Sequence, residues 1–214
     1  MIRIGLIQTE AEMQQVFRLR YEAYVEELGA AMEHANHQAR ALCDEWDRTA
    51  DILGAWHDDE LVGCVRINYS DNANLAEYEP FIHPLAKKTG TIAVTSKLVV
   101  AKACRGTLVS ARLCQAAFAQ LLARRIQLNY LSCRSYLVEM YGRLGFRICG
   151  ASFSHPEAGR LVPMVLLVQD YEYLEQIKSP LTVICAKYPI NQPQARLLRA
   201  ICTKEAVRRR RSIR

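Results

Sequence analysis

The stretch over residues 91–125 limits most tightly what this chain can fold into. It opens with a strand-like run, Ile92-Ala93-Val94-Thr95-Ser96-Lys97-Leu98-Val99-Val100, and crosses a turn that contains Arg105-Gly106. From Leu108 to about Arg125, Val109, Leu113, Ala116, Ala117 and Leu121 recur at spacings of three and four, which predicts a helix with one apolar face. A strand, a glycine-bearing turn and a helix together present backbone N–H groups to an anionic or thioester-linked cofactor arm.

Around this unit the chain alternates. Residues 2–7 predict a strand, and Thr9 with Glu12 forms a capping-box pattern. The next helix runs to about Leu28, with Met13, Phe17, Tyr24 and Leu28 on one face and Gly29 as its stop. Residues 30–42 read equally as helix or loop. Asp44-Glu45-Trp46-Asp47 is an acidic turn, and 51–56 and 61–67 form a hairpin about His57-Asp58-Asp59-Glu60. Residues 70–90, with Pro80 and Pro84, read as loop. Beyond the central unit come a strand over 127–134, a short helix over 136–144 ended by Gly145, and strands over 146–153 and 161–169. This order predicts an α/β fold: a single mixed β-sheet flanked by helices, with a basic helical extension at the C-terminus. The expected division is 1–188 as the folded domain and 189–214 as the basic helix or tail.

Half of the 214 residues are apolar, which suffices for a buried core, and no run approaches the ~20 apolar residues that span a bilayer. A cytoplasmic protein is expected. Eight cysteines without a CxxC pair are read as small buried hydrophobes, with no metal site expected. The net charge of +6 sits in the tail, where eight Lys or Arg face one acid from Pro189 onward. That tail has three readings: a contact for an acidic partner, a contact for an anionic membrane surface, or a solvated end. A nucleic-acid-binding module is the reading from another class, but no aromatic-rich face accompanies the arginines and no nucleic-acid partner is expected.

Tyr141-Gly-Arg-Leu-Gly145-Phe146 and the loop opening at Arg105-Gly106 resemble the signatures of the GNAT acyltransferase superfamily. Arg20-x-x-x-Tyr24, Asp44-x-Trp46-Asp47, Val62-Gly63-Cys64-Val65-Arg66 and Ser96-Lys97-Leu98-Val99-Val100 occur in the order found in acyl-homoserine-lactone synthases and in the related long-chain N-acyl amino acid synthases. The lactone enzymes carry a Glu before a Ser-Arg pair on the central strand. Here Thr95 and Lys97 stand in those places, which favours the N-acyl amino acid branch. The resemblance implies an acyltransferase that moves a long fatty acyl group from the phosphopantetheine thioester of acyl carrier protein to the amine of an amino acid, with no bound cofactor. An acyl-homoserine-lactone synthase and an acyl-CoA-dependent N-acetyltransferase are the alternatives. Leu108 stands where the family's diphosphate loop has a small residue, and a side chain there obstructs the close approach of coenzyme A.

The same resemblance assigns roles. Tyr141 would protonate the leaving sulfur, since a tyrosine hydroxyl of ordinary pKa, about 10, is protonated at neutral pH. Leu98, Val99 and Val100 would offer a backbone N–H to the thioester carbonyl, Arg105-Gly106 would hold the phosphate, and Leu98, Val100, Leu131, Leu137 and Phe146 would line the acyl path. Arg20, Trp46, Asp47 and Arg66 would form the acceptor wall, with a guanidinium gripping the carboxylate. Lys97, Lys102 and Arg105, with Lys87 and Lys88, would dock the carrier protein. The general base stays open among Glu139, Asp47, Glu79 and a water held by Ser96 near Thr95. An acyl-enzyme through Cys104 or Cys133 is a further option.

Overall fold

The computed structural model describes residues 1–82, 91–189, 194–196 and 198–200. Lys87, Lys88 and the arginine run from Arg208 to Arg211 lie outside them. Two compact units are formed, residues 1–68 with 95–117 and residues 69–94 with the chain from 118 onward. The central strand and the helix after it each contribute to both. Strand order through the mixed sheet is 2–6, 51–57, 60–69, 92–100, 128–133, 159–167 and 147–148, with 153–155 on 159–167. No helix among the described residues is long and apolar enough to cross a membrane.

In the first unit, β1 (Ile2–Leu6) pairs antiparallel with β4 (Asp51–His57), which forms a hairpin with β5 (Glu60–Tyr69). Helix α1 (Glu10–Tyr21) starts on the expected capping box: Glu12 N–H donates to Thr9 Oγ1 at 3.2 Å and the Glu12 carboxylate accepts from Thr9 N–H at 3.2 Å. Val16, Leu19 and Ala23 pack with Ile52, Trp56, Leu61, Cys64 and Val99 into one core. The helix then changes pitch. Residues Glu22–Glu27 form a π-turn, which adds a residue per turn and rotates the positions after it. Met13, Phe17 and Tyr24 keep to the core face, but Leu28, expected beside them, is turned out and is 54 % exposed.

Residues 30–42, ambiguous in sequence, contain a small hairpin of β2 (Ala35–Asn36) and β3 (Ala41–Leu42). The acidic turn is a 3-10 helix, Glu45–Arg48, capped by Asp44. On β5, Gly63 lets helix α2 (Val109–Ala123) approach. A Cβ there would stand 2.9 Å from Leu113 Cδ1 and 3.0 Å from Val109 Cγ1.

In the second unit, Ile92, Ala93 and Val94 of β6 (Ile92–Val100) pair parallel with Leu128, Asn129 and Tyr130 of β7 (Leu128–Cys133), and β10 (Gly159–Leu167) runs antiparallel beside β7. The strand expected over 146–153 is instead two short pieces, β8 (Arg147–Ile148) and β9 (Phe153–His155). Four residues, 149–152, stand opposite Val162 and Pro163. Proline has no N–H to continue the ladder, and the extra residues bulge out there.

Helix α3 (Val138–Leu144) ends at Gly145, which takes φ +115°. A Cβ at that position would sit 2.5 Å from Leu174 Cδ2, and Leu174 is fully buried. Gly145→Ala is therefore expected to cost about 1–3 kcal/mol from left-handed backbone strain and overpacking, read as a lower urea midpoint.

The second unit also ties down part of the basic tail. Helix α4 (Tyr171–Gln176) begins after Asp170, whose side chain is buried, and a short helix α5 (Thr182–Cys185) comes next. Residues 194–196 and 198–200 are helical. Arg147 Nη2 donates to Asp170 Oδ2 at 3.0 Å and Arg199 Nε to the same oxygen at 2.9 Å, while Arg196 pairs with Glu172. Two of the tail's arginines are thus engaged by carboxylates of the folded body.

Candidate active site

The charged residues singled out in the first unit converge. Arg66 of β5 is 4 % exposed. Its Nε donates to Ser96 Oγ at 3.0 Å, and its Nη1 donates to Asp44 Oδ1 and, at 3.1 Å, to Asp47 Oδ1. Arg20 of α1 is fully buried and donates through Nη1 to Asp47 Oδ1 at 2.7 Å. The acidic turn is held by its own backbone: Trp46 N–H donates to Asp44 Oδ1 at 3.0 Å and Asp44 N–H to Asp47 Oδ2 at 3.0 Å. Asn68 Nδ2 fastens the turn to β5 through the Trp46 carbonyl at 2.8 Å. The Arg66 guanidinium lies 5.7 Å from the half-buried Trp46 ring, within cation–π reach.

Burial alone would raise the Asp47 pKa, but the guanidiniums of Arg20 and Arg66 outweigh it and hold the carboxyl below the usual range. A carboxylate so stabilised is a weak base. Asp47 is therefore a structural anion of this wall, and the general-base candidacy given to it falls.

Lys97, expected at a carrier-docking surface, is elsewhere. Its side chain is 16 % exposed, with Nζ 3.8 Å from Asp44 Oδ2 and 5.0 Å from the Tyr24 ring centroid. The backbone explains this. Lys97 has φ +51° in the middle of β6, a left-handed conformation that an L-residue adopts at a cost. Neighbouring side chains on a regular strand point to opposite faces. Here Ser96 and Lys97 both reach the same ion cluster. Asp44 and Lys97 are thus the members that the sequence-based acceptor set omits.

On β6, Thr95 and Ser96 are part-buried, with Leu98 and Val100 part-buried and Val99 buried. Arg105 donates through Nε to the Val100 carbonyl at 3.1 Å and pairs with Glu27 at 2.7 Å, so this arginine braces the loop that Gly106, at φ +78°, completes. Leu108 is 69 % exposed just before α2, and Lys102 is exposed on its own 3-10 turn, Lys102–Cys104.

In the second unit Leu131 and Phe146 are buried, and the Tyr141 ring meets Phe146 edge-on with centroids 5.6 Å apart. Glu139, offered as a base, is 79 % exposed and paired with Arg143 one helical turn on at 2.6 Å. Such a solvated ion pair is a surface feature of α3, and the catalytic assignment of Glu139 is set aside. Glu79 is exposed on the 3-10 turn Ala76–Phe81. Burial pushes the Cys133 thiol up to about 11, which leaves little thiolate for an acyl-enzyme.

A family model described as N-acyl amino acid synthase FeeM matches residues 15–170. No curated protein sequence matches the chain. Among solved structures, FeeM, an N-acyl amino acid synthase from uncultured soil microbes, superposes with TM-score 0.68 at 15% identity, covering 86% of this chain and 97% of its own. The CoA-dependent acyl-homoserine lactone synthase BjaI, solved with SAM and isopentyl-CoA, gives TM-score 0.64 at 16% identity over 84% of this chain and 91% of its own. Escherichia coli ElaA gives 0.58 at 19% identity over 78% of this chain and 99% of its own. The fold is accordingly the GNAT-like acyltransferase fold. The chain is an acyltransferase that belongs to the FeeM family of N-acyl amino acid synthases.

Proposed function

We propose that this acyltransferase moves a long-chain fatty acyl group from the thioester of acyl carrier protein to the α-amine of a free amino acid. The observation that carries this reading is the buried wall of Arg20, Asp44, Asp47, Arg66 and Lys97. Buried charge is costly unless it is paired and hydrogen-bonded, and a buried pair adds little net stability of its own, so this many charges gathered in one wall point to use by a bound partner. A wall of this kind suits an acceptor that itself carries charge. Leu108, exposed just before α2, supports a donor that presents a pantetheine arm alone, because it holds a position where the family's diphosphate loop carries a small residue.

In this reading the neutral amine attacks the thioester carbonyl. The oxyanion accepts a backbone N–H from the Leu98-Val99-Val100 segment. Collapse of the tetrahedral intermediate breaks the C–S bond, and the Tyr141 hydroxyl protonates the departing thiolate. The amine's own proton leaves to a water held by Ser96 or to Glu79.

The test is organic extraction of cells expressing the protein, with a second assay of purified enzyme on acyl carrier protein or coenzyme A thioesters. The expected product has the mass of a fatty acid plus an amino acid less water, formed at least about tenfold faster from the carrier protein. That factor corresponds to about 1.4 kcal/mol of preference. A homoserine lactone, or equal rates from coenzyme A, would overturn the acceptor and the donor assignment respectively.

A further inference from the structure

The proposed acceptor wall is uneven in both charge and depth. Among its described members, three cations (Arg20, Arg66 and Lys97) face two anions (Asp44 and Asp47). The wall is also short of acceptors, because Arg20 Nε and Nη2 are buried without a hydrogen-bond partner. The neighbouring Cys64 does not restore the balance. Burial raises its thiol pKa despite the adjacent Arg20, so it stays a neutral S–H.

Depth divides the wall a second way. The side chains of Arg20, Asp47 and Arg66 are 0 %, 6 % and 5 % exposed, so none can open to a ligand without breaking the others. Asp44 and Lys97 form the rim, at 17 % and 16 %. Their charged atoms are 3.8 Å apart, too far for a direct hydrogen bond. The two rim charges are opposite in sign to the ammonium and carboxylate of an α-amino acid, one rim group for each. The backbone accepts a left-handed residue inside a strand to bring Lys97 there, the kind of strain retained where a side chain must be aimed.

We propose that Lys97, and not Arg20 or Arg66, is the specificity-determining grip for the acceptor's carboxylate, with Asp44 seating its ammonium. The site selects free α-amino acids over the corresponding amines. The inference rests on the amino-acid acceptor reading above, and its test reads binding with no acyl donor present.

Calorimetric titrations of the full chain would use L-tyrosine with tyramine, L-phenylalanine with phenethylamine, and L-leucine with isoamylamine. At least one amino acid is expected to bind about tenfold or more tightly than its amine, the range of a charge-assisted hydrogen bond. Lys97→Gln is expected to reduce that ratio to within about threefold, and Lys97→Arg to keep most of it. Lys97→Gly separates function from folding: it removes the side chain and the strain together, so the ratio collapses while the melting temperature holds or rises. An unchanged ratio in Lys97→Gln, amines that bind as well as their amino acids in all three pairs, or no saturable binding by any of the three amino acids would overturn the proposal. Carboxylate preference that depends on Lys97 without any N-acyl product in a parallel turnover assay would instead leave this grip standing and remove the acyl-transfer reading.

Discussion

Asp47→Ala is expected to cost about 3–5 kcal/mol of stability, the range for breaking a buried ion pair by removing one partner. The carboxylate accepts from both Arg20 and Arg66. Arg20 has little to fall back on, since its Nε and Nη2 are already without an acceptor. For a chain of this size the loss corresponds to a melting point lower by roughly 6–20 °C. If the penalty is uncompensated charge, the double variant Arg20→Met with Asp47→Leu should recover a good part of it. A cost under about 0.5 kcal/mol for Asp47→Ala would show the pair to be far better solvated than its burial indicates.

The same carboxylate gives the acid side of stability its sign. Its pKa is lower folded than unfolded, so the unfolded chain binds the proton first as pH drops. The contribution is fully present above the unfolded carboxyl's pKa, about 3.9, and is lost as pH falls through the folded value. Wild type should therefore lose stability below about pH 4 more steeply than Asp47→Ala does. Parallel curves would assign acid sensitivity to other carboxyls.

Tyr141→Phe is expected to lower kcat by about 10²–10⁴-fold, the usual contribution of one positioned proton donor. KM should move little. The ring contact with Phe146 survives the change, so stability should shift by no more than about 1 kcal/mol. Retained kcat would move the proton-donor role to another group. A lowered kcat that recovers when the thioester carries a leaving thiol of lower pKa would tie the defect to departure of the sulfur.

Most of the scaffold is legible in the sequence. Apolar periodicity in 92–100 and 109–121 and the Thr9–Glu12 box have local causes, and each element stands where those causes place it. The landmarks carrying Arg20, Asp47 and Arg66 also come together, because charges that must be buried need one another. The illegible parts depend on backbone geometry without a residue signature. Lysine is not a residue type that announces a left-handed φ, so strand alternation alone sends Lys97 to the face away from Ser96. The π-turn over Glu22–Glu27 is equally silent in sequence, and the phase it adds is why Leu28 leaves the core face. Pro163 does carry a signal against one continuous strand over 146–153, but it stands on the partner strand, visible only once register is known.

The gradient of burial across the ion cluster sets where this enzyme can be retuned by directed evolution. A library that varies Arg20, Asp47 or Arg66 in search of new acceptors would mostly return unfolded chains, because those residues hold the first unit together before they meet any substrate. Asp44 and Lys97 lie at the rim, where exchange alters what is met and less of what is supported. Selection there begins with folding intact, and mutational tolerance and substrate range become separable at two positions of the wall.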